Sequence, residues 1–390
     1  MTNHDVIIIG AGAAGLMCAI AAGRRGRRVL LLDHAGEPGA KILISGGGRC
    51  NFTNLGSRPA NFFSDNPAFC RSALDRFGPE DFLAMVRAHA IAYHEKAAGQ
   101  LFCDGPARAI LAMLRAECAT AGVQCAFGHQ VSDIARPDRF IVSTSHGPLT
   151  AESVVLATGG LSIPKLGATG FAHDWARRFG LRLTDIAPAL VPLTLAGADL
   201  ELARPLAGVS LPCTASLGRT SFADAMLFTH RGLSGPAILQ LSTAWRAGPI
   251  TLDLLPGQDA TALLLARKRA RPRAQLATSL AELLPARLAQ ALAPPPDGTA
   301  RLADLPDRAL RALGARLNRW TPTPAGTEGF AKAEVTRGGV DTRDLSSRSM
   351  MARDVPGLFV IGEAMDVTGW LGGHNFQWAW SSGWAAGMHA

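Results

Sequence analysis

The sequence predicts an α/β fold built around a parallel β-sheet. Residues 6–9, "VIII", form a short β-branched run that is typical of a buried parallel strand, and they lead directly into "GAGAAG" and a helical stretch that ends near Arg25. A second apolar run, "RVLLLD", ends at Asp33, and a late one, "GLFVIG", ends at Gly362. Strand, glycine turn, helix and strand in this order are typical of a Rossmann-type dinucleotide-binding domain.

The glycine turn and Asp33 predict a dinucleotide site. Gly10 permits the tight turn, Gly12 lets a pyrophosphate approach the backbone, and Gly15 lets the helix pack against the strand. The free amides at the helix N-terminus favour the anion. At the end of the second strand, the Asp33 carboxylate can accept hydrogen bonds from both ribose hydroxyls of an adenosine. The residues of the turn predicted to bind the cofactor are Gly10, Gly12, Ala13, Ala14 and Gly15.

NAD and FAD share this fingerprint, and two later segments favour FAD. A strand over residues 358–361 ends at a glycine and a carboxylate, which flavoproteins of the glutathione-reductase-like fold use beside the ribityl chain and pyrophosphate. The segment "SVVLATGG", residues 153–160, resembles the strand that returns to FAD in the same fold. The predicted cofactor contacts of these segments are Thr158, Gly159, Gly160, Gly362 and Glu363.

Two glycine-rich loops are predicted to lie along the flavin. In "KILISGGGRCNFTN", residues 41–54, three glycines bring the backbone close to a ligand, and Arg49 and Asn51 supply donors for phosphates or carbonyl oxygens. In "GGHNFQWAW", Asn375 is predicted to open a helix whose positive end stabilises the anionic reduced flavin. A structural turn and aromatic packing are the alternatives for the two loops. The predicted contacts are Lys41, Ser45, Gly46, Gly47, Gly48, Arg49, Asn51, Gly372, Gly373, Asn375, Phe376 and Gln377.

A chain of 390 residues exceeds what one hydrophobic core usually supports, so several domains are expected. We predict a FAD-binding domain over residues 1–187, a compact β subdomain over 188–256, a helical subdomain over 257–326 and a return to the first domain over 327–390. Within the first part, "VQCAFG", "QVSDIAR" and "RFIVSTS" predict a small antiparallel meander. The proline cluster "APPPDG", residues 293–298, is interpreted as a linker or turn.

Composition narrows the class of protein. The formal net charge of +8 permits an anionic partner, and "ARKRARPR" places five basic residues where they could grip RNA phosphates, with a solvated helix face as the alternative. Seven cysteines without a C-x-x-C pair or metal-ligand spacing predict reduced cytosolic thiols and no metal site, and argue against a disulfide reductase. The sequence has no uninterrupted apolar span long enough for a transmembrane helix. A cytoplasmic protein is therefore expected. The five basic residues are Arg267, Lys268, Arg269, Arg271 and Arg273.

Six long motifs together resemble one protein family. "GAGAAG", "KILISGGGRCNFTN", "HEKAAGQLFCD", "LFTHRGLSGPAIL", "AEVTRGGVD" and "GEAMDVTGWLGGHNFQWAWSSGWAAG" are similar to the BaiN/RdsA (YhiN-like) family of NAD(P)/FAD-dependent oxidoreductases. The resemblance spans nearly the whole chain. It implies a glutathione-reductase-like FAD domain interrupted by an inserted β-barrel and a helical region. One departure is His374, which stands where the family usually has tyrosine in "GGYNFQWAW".

The resemblance implies reduction of uridine to dihydrouridine in large-subunit (23S) ribosomal RNA, and a more distant branch acts in bile-acid metabolism. Reducing the 5,6 double bond of uracil requires a hydride on one carbon and a proton on its neighbour, and Cys50, His374 and His230 are the candidate proton donors. A second GxGxxG is missing between residues 160 and 331, so NAD(P)H is expected to bind transiently as electron donor. Two alternatives stay open: a reductase of a small-molecule enone, and a non-catalytic flavin-containing RNA-binding or assembly factor.

Overall fold

The computed structural model describes residues 2–293 and 299–390, which fold into two compact units. The first unit comprises the chain up to Pro188 together with Val335–Ala390, and the second comprises Ala189–Glu334. Of the proline cluster interpreted as a linker or turn, residues 294–298 lie outside the described residues.

The elements follow one another in three segments of the chain. Up to the first boundary they are β1 (Thr2–Ile9), α1 (Ala13–Arg24), β2 (Val29–Asp33), α2 (Ala40–Gly48), β3 (Asn51–Asn54), β4 (Phe62–Phe63), α3 (Arg71–Arg76), α4 (Pro79–Ala88), β5 (Tyr93–Glu95), β6 (Gln100–Cys103), α5 (Arg108–Thr120), β7 (Gln124–Phe127), β8 (Val131–Ala135), β9 (Phe140–Thr144), β10 (Gly147–Leu156), α6 (Phe171–Arg178) and β11 (Ala187–Ala189). The second unit contains β12 (Leu193–Thr194), α7 (Gly197–Ala203), β13 (Ser210–Leu217), β14 (Thr220–Thr229), β15 (Gly232–Ser234), α8 (Pro236–Ala244), β16 (Thr251–Asp253), α9 (Ala260–Ala270), α10 (Leu276–Ala281), α11 (Ala286–Leu292), α12 (Asp307–Asn318) and β17 (Gly326–Thr327). The chain ends with β18 (Val335–Arg337), β19 (Leu358–Val360), β20 (Thr368–Gly369) and α13 (His374–Gly387).

The main sheet of the first unit has the strand order β7-β2-β1-β10-β9-β8, and β19 also pairs with β10. Strands β7, β2, β1, β10 and β19 run parallel, because β1 pairs in parallel with β2 and β10, β10 with β19, and β2 with β7. Residues 6–9 of β1 are buried, as expected for a strand covered on both faces. The predicted α/β fold with a Rossmann-type sheet is confirmed.

One prediction for this sheet was wrong. The segment "QCAF" was placed in an antiparallel meander, but it forms β7, which pairs in parallel with β2 at the edge of the main sheet. The meander consists of β8, β9 and the first half of β10 instead. Strand β10 is long enough to belong to both parts of the sheet: its residues 147–151 pair with β9, while residues 154–156 pair with β19.

The second unit contains an antiparallel sheet of order β16-β13-β14-β15-β12-β17 together with its helices. The predicted β and helical subdomains lie in this single unit, and Asn318 at the end of α12 joins them. Its side-chain amide donates to Asp253 Oδ1 at 2.9 Å and to the Gln258 carbonyl at 2.8 Å. The return to the first unit occurs at Val335 rather than at residue 327, because Thr327 pairs with Leu193 in the sheet of the second unit.

Within residues 2–293 and 299–390, no helix combines the length and the apolar character needed to cross a bilayer. The same residues contain no group of three or more His, Cys, Asp and Glu side chains placed to hold a metal ion.

Candidate cofactor and active site

The carboxyl ends of the parallel strands bring the predicted cofactor residues to one edge of the sheet. Gly10 follows β1 and donates its N–H to the Leu32 carbonyl of β2 at 2.8 Å. Ala157, which follows β10, donates to the Ile9 carbonyl of β1 at 2.8 Å. Ile361 donates to Leu156 at 3.1 Å, so the end of β19 also lies there. Ligands of open α/β sheets bind outside this edge.

The glycine turn between β1 and α1 has one crowded side and one open side. A Cβ on Gly15 would lie 1.8 Å from the Gly10 carbonyl oxygen, and a Cβ on Gly10 would lie 2.5 Å from the Ala157 carbonyl oxygen. A Cβ on Gly12, by contrast, would meet no atom within 4 Å. Gly12 directly precedes the first residue of α1. The open side of the turn has the space, and the start of α1 the amide donors, that a pyrophosphate needs.

Asp33 is held beside the glycine turn. Its Oδ2 accepts the Ala11 N–H at 2.7 Å, and its Oδ1 accepts the Ala35 N–H at 2.9 Å. Each carboxylate oxygen can accept more than one hydrogen bond, so both keep acceptor capacity for ribose hydroxyls. The His34 ring lies next to it, with Nδ1 at 3.5 Å from Oδ1.

Glu363, which follows β19, is fixed by a polar network. Its Oε2 lies 2.8 Å from Lys41 Nζ, and its Oε1 accepts the Ser162 hydroxyl at 2.8 Å and the Thr336 N–H at 2.9 Å. Lys41 also donates to Ser162 Oγ at 2.6 Å. Burial raises the pKa of Glu363, but the charge of Lys41 and the hydrogen bonds from Lys41, Ser162 and Thr336 outweigh it and leave the pKa below its usual value. The carboxylate therefore stays ionised at neutral pH.

Breaking this ion pair should make stability depend strongly on pH. Lys41→Met removes the ammonium, so only the hydrogen bonds from Ser162 and Thr336 still oppose the effect of burial on Glu363, and its pKa should rise above the usual value. Because the side chains of Lys41 and Glu363 are 34% and 19% exposed, we expect a loss of about 2–3 kcal/mol in unfolding free energy near pH 7.5, less than the loss of a partner in a fully buried pair.

The sign of the pH effect follows from the two pKa shifts. In the wild type the lowered pKa stabilises the fold above the unfolded-state pKa, and this contribution is lost as pH falls. In the variant the raised pKa favours the fold at low pH instead, so the difference between the proteins should shrink from pH 7.5 to pH 5. Urea unfolding at several pH values measures this difference. Adding Glu363→Gln to Lys41→Met should restore part of the stability, and a difference that does not change with pH would contradict the assignment.

The two glycine-rich loops meet over the small sheet formed by β3, β6 and β5. Helix α2 kinks at Ser45, Gly46 and Gly47, and the two glycines adopt left-handed backbone angles. A Cβ on Gly46 would lie 2.8 Å from the Phe102 ring of β6. The second loop contacts the same sheet through Gly373, whose Cβ would lie 2.5 Å from the Thr53 carbonyl oxygen.

Asparagine side chains of β3 connect the loops. The Asn54 amide donates to the Gly372 carbonyl at 2.9 Å. In the orientation that satisfies all its neighbours, Asn51 accepts the Gly373 N–H at 3.2 Å and donates to the carbonyls of Thr53 and Leu101. The structure therefore brings together two segments that lie more than 300 residues apart in sequence.

Several predicted cofactor residues have their polar atoms committed to the fold. Gln377 is fully buried; its Oε1 accepts the Thr53 hydroxyl at 2.6 Å, and its Nε2 donates to Phe77 and Ser381. Asn375 uses both ends of its amide on the Gly369 backbone, and the helix begins at His374 rather than at Asn375. These amides order the loop, and the contacts of Asn375 and Gln377 with the cofactor stay predictions.

Among the remaining predicted residues of the two loops, some pack within the fold and others are exposed to solvent. Phe376 stacks on Trp380 with ring centroids 5.6 Å apart. The Ser45 hydroxyl donates to the Ile42 carbonyl at 2.8 Å, within α2. Gly47 and Gly48 have open space on their Cβ sides, and Arg49 is exposed. The backbone of the glycine run and the Arg49 side chain can therefore meet a ligand.

The three candidate proton donors lie in different environments. Cys50 is fully buried with a positive φ of 48°, and burial raises the pKa of its thiol to about 12. His374 is 5% exposed; its Nδ1 lies 2.8 Å from Ser57 Oγ, and burial lowers its pKa to about 4. His230 is exposed in the turn between β14 and β15 of the second unit. The surrounding fold encloses Cys50 and His374 in this structure, and their role as proton donors stays a prediction.

The structure adds residues that the motif search did not single out. Ser162 and Thr336 complete the Glu363 network, and the Thr336 hydroxyl also accepts the Leu161 N–H at 2.8 Å. The sequence contained a signal that could have identified both as site residues, since Ser162 closely follows "ATGG" and Thr336 lies within "AEVTRGGVD". Thr158 has a buried hydroxyl without a hydrogen-bond partner in the described part of the chain. Such an atom at the ligand edge of the sheet suits a cofactor that supplies the missing partner.

Three of the five cations of the basic cluster pair with neighbouring carboxylates. Arg267 and Arg271 both pair with Glu282 at 2.6 Å, and Lys268 pairs with Asp307 at 2.8 Å. Two carboxylates therefore face five cations, and Arg269 and Arg273 are exposed, so the binding of RNA phosphates by this cluster stays a prediction.

The fold and the site define a Rossmann-type flavoprotein oxidoreductase. The chain belongs to the HI0933-like family, whose Rossmann-domain model matches residues 4–389. The family predicted from the six motifs is thereby confirmed.

Curated relatives cover the whole length of the chain. A protein of Escherichia coli named ribosomal RNA dihydrouridine synthase is 49% identical over 99% of this chain and 97% of its own length. A protein of the same name from Haemophilus influenzae is 43% identical over 98% and 97%. The 3-dehydro-bile acid delta(4,6)-reductase of Clostridium scindens is 30% identical over 98% of both chains. Among solved structures, the 3-ketosteroid-delta4-(5alpha)-dehydrogenase of Rhodococcus jostii shares the fold, with a TM-score of 0.52, 14% identity, and coverage of 99% of this chain and 96% of that one.

Proposed function

We propose that this protein is an FAD-dependent reductase that converts a uridine of 23S ribosomal RNA to dihydrouridine, with NAD(P)H as the transient electron donor. The observation that carries the proposal is the 49% identity with the E. coli ribosomal RNA dihydrouridine synthase over 99% of the chain. The proposed compartment is the cytoplasm, where this RNA is found.

The residues at the sheet edge suit FAD. Gly12 offers the open side of the turn for the pyrophosphate, Asp33 the acceptors for the ribose, and Thr158 an unpaired hydroxyl. Bound FAD would supply the hydride that reduces the pyrimidine ring. The chain's own task is to hold the base against the glycine loops, where Arg49 is exposed, and to deliver a proton to the neighbouring carbon.

The adenosine half of the cofactor can be tested through Asp33. The purified protein should contain FAD and not FMN, because Asp33 and the turn from Gly10 to Gly15 are placed for an adenosine diphosphate. Asp33→Ala should weaken FAD binding by about 1–3 kcal/mol, the range for a hydrogen bond to a charged group. Titration of the apoprotein with FAD measures the change, and Asp138→Ala, an exposed carboxylate between β8 and β9, is the control. FMN as the only bound flavin would contradict the assignment.

We propose that the proton donor is one of the three predicted candidates. His230 is exposed, whereas Cys50 and His374 are buried. In addition, the lowered pKa of His374 leaves its imidazole neutral at physiological pH, and the raised pKa of Cys50 makes its thiol reluctant to release a proton.

A reductase of a small-molecule enone is the second candidate. It is favoured by the 30% identity with the bile-acid reductase of Clostridium scindens over 98% of both chains. It shares the flavin chemistry and requires no RNA-binding surface.

One experiment separates the two candidates. Ribosomal RNA from a strain lacking the gene is incubated with the holoenzyme and NADPH or NADH, then digested, and dihydrouridine is mapped by mass spectrometry. A steroid with a conjugated enone is tested in parallel. Dihydrouridine at a defined position of 23S RNA supports the proposal. Turnover of the steroid without any change in the RNA would establish the alternative.

A further inference from the structure

The small sheet beneath the glycine loops exposes one face that the cofactor chemistry does not use. In β6, Leu101 and Cys103 are buried, while Phe102 points to the opposite face. Phe102 pairs with Asn51 of β3 on one side and with His94 of β5 on the other. Directly opposed residues of an antiparallel pair share a face. These three side chains therefore form one row across the sheet.

The row carries a stacked aromatic pair with a cation beside it. The rings of His94 and Phe102 lie 6.0 Å apart at an interplanar angle of 15°. Asp104 Oδ1 holds His94 Nδ1 at 2.6 Å, which fixes the ring orientation. Lys96 Nζ lies 5.4 Å from the centre of the Phe102 ring and is exposed.

This row lies next to both glycine loops. A Cβ on Gly46 would be 2.8 Å from the Phe102 ring, and a Cβ on Gly372 would be 2.8 Å from Gln100, the outward neighbour of Phe102 along β6. A ligand on the row would therefore contact the segments that are proposed to hold the flavin.

The surroundings combine exposed apolar side chains with two cations and with Asp104, the carboxylate that holds His94. Ile44, two residues before Gly46, is 49% exposed, and Leu55, directly after β3, is 39% exposed. The structure records only one further large apolar side chain of comparable exposure in the described residues, Met388. Arg49 and Lys96 add two exposed cations. Flat aromatic surface combined with cations is what binds single-stranded nucleic acid, since bases stack and phosphates pair with the charges.

We propose that the stacked pair of His94 and Phe102, with Lys96 beside it, is the base-stacking subsite for a single-stranded segment of the RNA substrate. A base beside the target uridine stacks on the Phe102–His94 surface, and Lys96 and Arg49 pair with the adjoining phosphates. This arrangement presents the target base to the two glycine loops. The inference rests on the proposed function for the identity of the RNA, and on the local geometry for the place where it binds.

The test measures RNA binding apart from turnover. Fluorescein-labelled decauridylate is titrated with the holoenzyme and with His94→Ala, Phe102→Leu and Lys96→Ser variants. Loss of one stacking contact should weaken binding by roughly 5- to 100-fold. Lys96→Ser should flatten the dependence of log K on log salt by about 0.7. FAD content and NAD(P)H oxidation with an artificial acceptor should stay unchanged.

Matched controls come from the far hairpins of the main sheet. His146 is an exposed histidine stacked on His129, with ring centroids 3.9 Å apart, and the Arg136 guanidinium lies 5.3 Å from the Phe140 ring centre. His146→Ala and Arg136→Ser should bind decauridylate like the wild type.

Each outcome decides one of the two proposals. If the wild type forms dihydrouridine and the three variants bind RNA and react equally well, the subsite is wrong and the proposed function stands. If the wild type forms no dihydrouridine while the variants still weaken RNA binding, the subsite is supported and the proposed function fails. A wild type that does not bind decauridylate overturns the subsite.

Discussion

Gly15→Ala is expected to prevent the first unit from folding normally and binding FAD, although alanine is the better helix former. Alanine in a helix interior gains about 1 kcal/mol over glycine. Here the new methyl would lie 1.8 Å from the Gly10 carbonyl oxygen, which is a backbone atom and cannot rotate away. Helix α1 must shift from β1, at a cost of about 3 kcal/mol, the upper end for overpacking. The steric cost exceeds the gain in helix propensity.

Gly12→Ala is the matched control, because it should bind FAD poorly while folding well. Gly12 has an extended backbone with φ of −79°, which alanine adopts freely, and its Cβ would meet no atom within 4 Å. The free protein therefore tolerates the methyl, but the methyl occupies the space proposed for the pyrophosphate. We expect unchanged unfolding in urea and a loss of roughly 10- to 100-fold in FAD affinity.

The measurements are urea unfolding of the apoproteins and FAD titration. Normal folding of Gly15→Ala would show that the contact between α1 and β1 is looser than the structure records. Full FAD affinity of Gly12→Ala would place the pyrophosphate elsewhere.

Sequence reasoning located the strand ends well, because parallel strands impose a local rule. Each buried β-branched run ends at the same edge of the sheet, so Gly10, Asp33, Thr158 and Glu363 could be grouped before any distance was known. Gly15 followed from the same rule, since a glycine at that position is required wherever a helix packs closely on its strand.

The environment of a side chain could not be predicted in this way. Gln377 is hydrogen-bonded to Thr53, 324 positions away in sequence. No local sequence pattern indicates that its side-chain amide already has hydrogen-bond partners within the fold. The cations of α9 show the same limit, since Lys268 pairs with Asp307 across 39 positions. Motif reading identifies which residue types are present, but their availability to a ligand depends on partners that only the fold brings near.

The prediction for the pairing of β7 was wrong for a related reason. "QCAF" and the strands that follow it are all short and alternate in polarity, so the sequence gives no sign that β7 pairs with β2 while its successors pair with one another. The partner of a strand is decided by contacts between segments distant in sequence, and β7 pairs here with β2 at the edge of the main sheet.

If His230 donates the proton, His230→Ala is expected to reduce dihydrouridine formation by roughly 10²- to 10⁴-fold, the usual contribution of a positioned general acid. FAD content and NAD(P)H oxidation with an artificial acceptor should remain at wild-type levels, because the acceptor requires no protonated carbon. Arg231→Ala, which changes the adjacent exposed residue, is the control for loss of charge or distortion of the turn.

Cys50→Ala and His374→Ala are compared with His230→Ala, because both remove buried groups. Cys50 has no exposed surface, and His374 packs beside Phe62 with ring centroids 6.1 Å apart, so their loss should lower the free energy of unfolding and leave the proton step intact once the protein is folded. If Cys50→Ala instead abolished dihydrouridine formation with normal stability, FAD content and flavin reduction, the thiol would be the donor. The glycine run would then have to open to expose it during turnover, since Cys50 is closed beneath it through the hydrogen bond from its N–H to the Ser45 carbonyl at 3.0 Å.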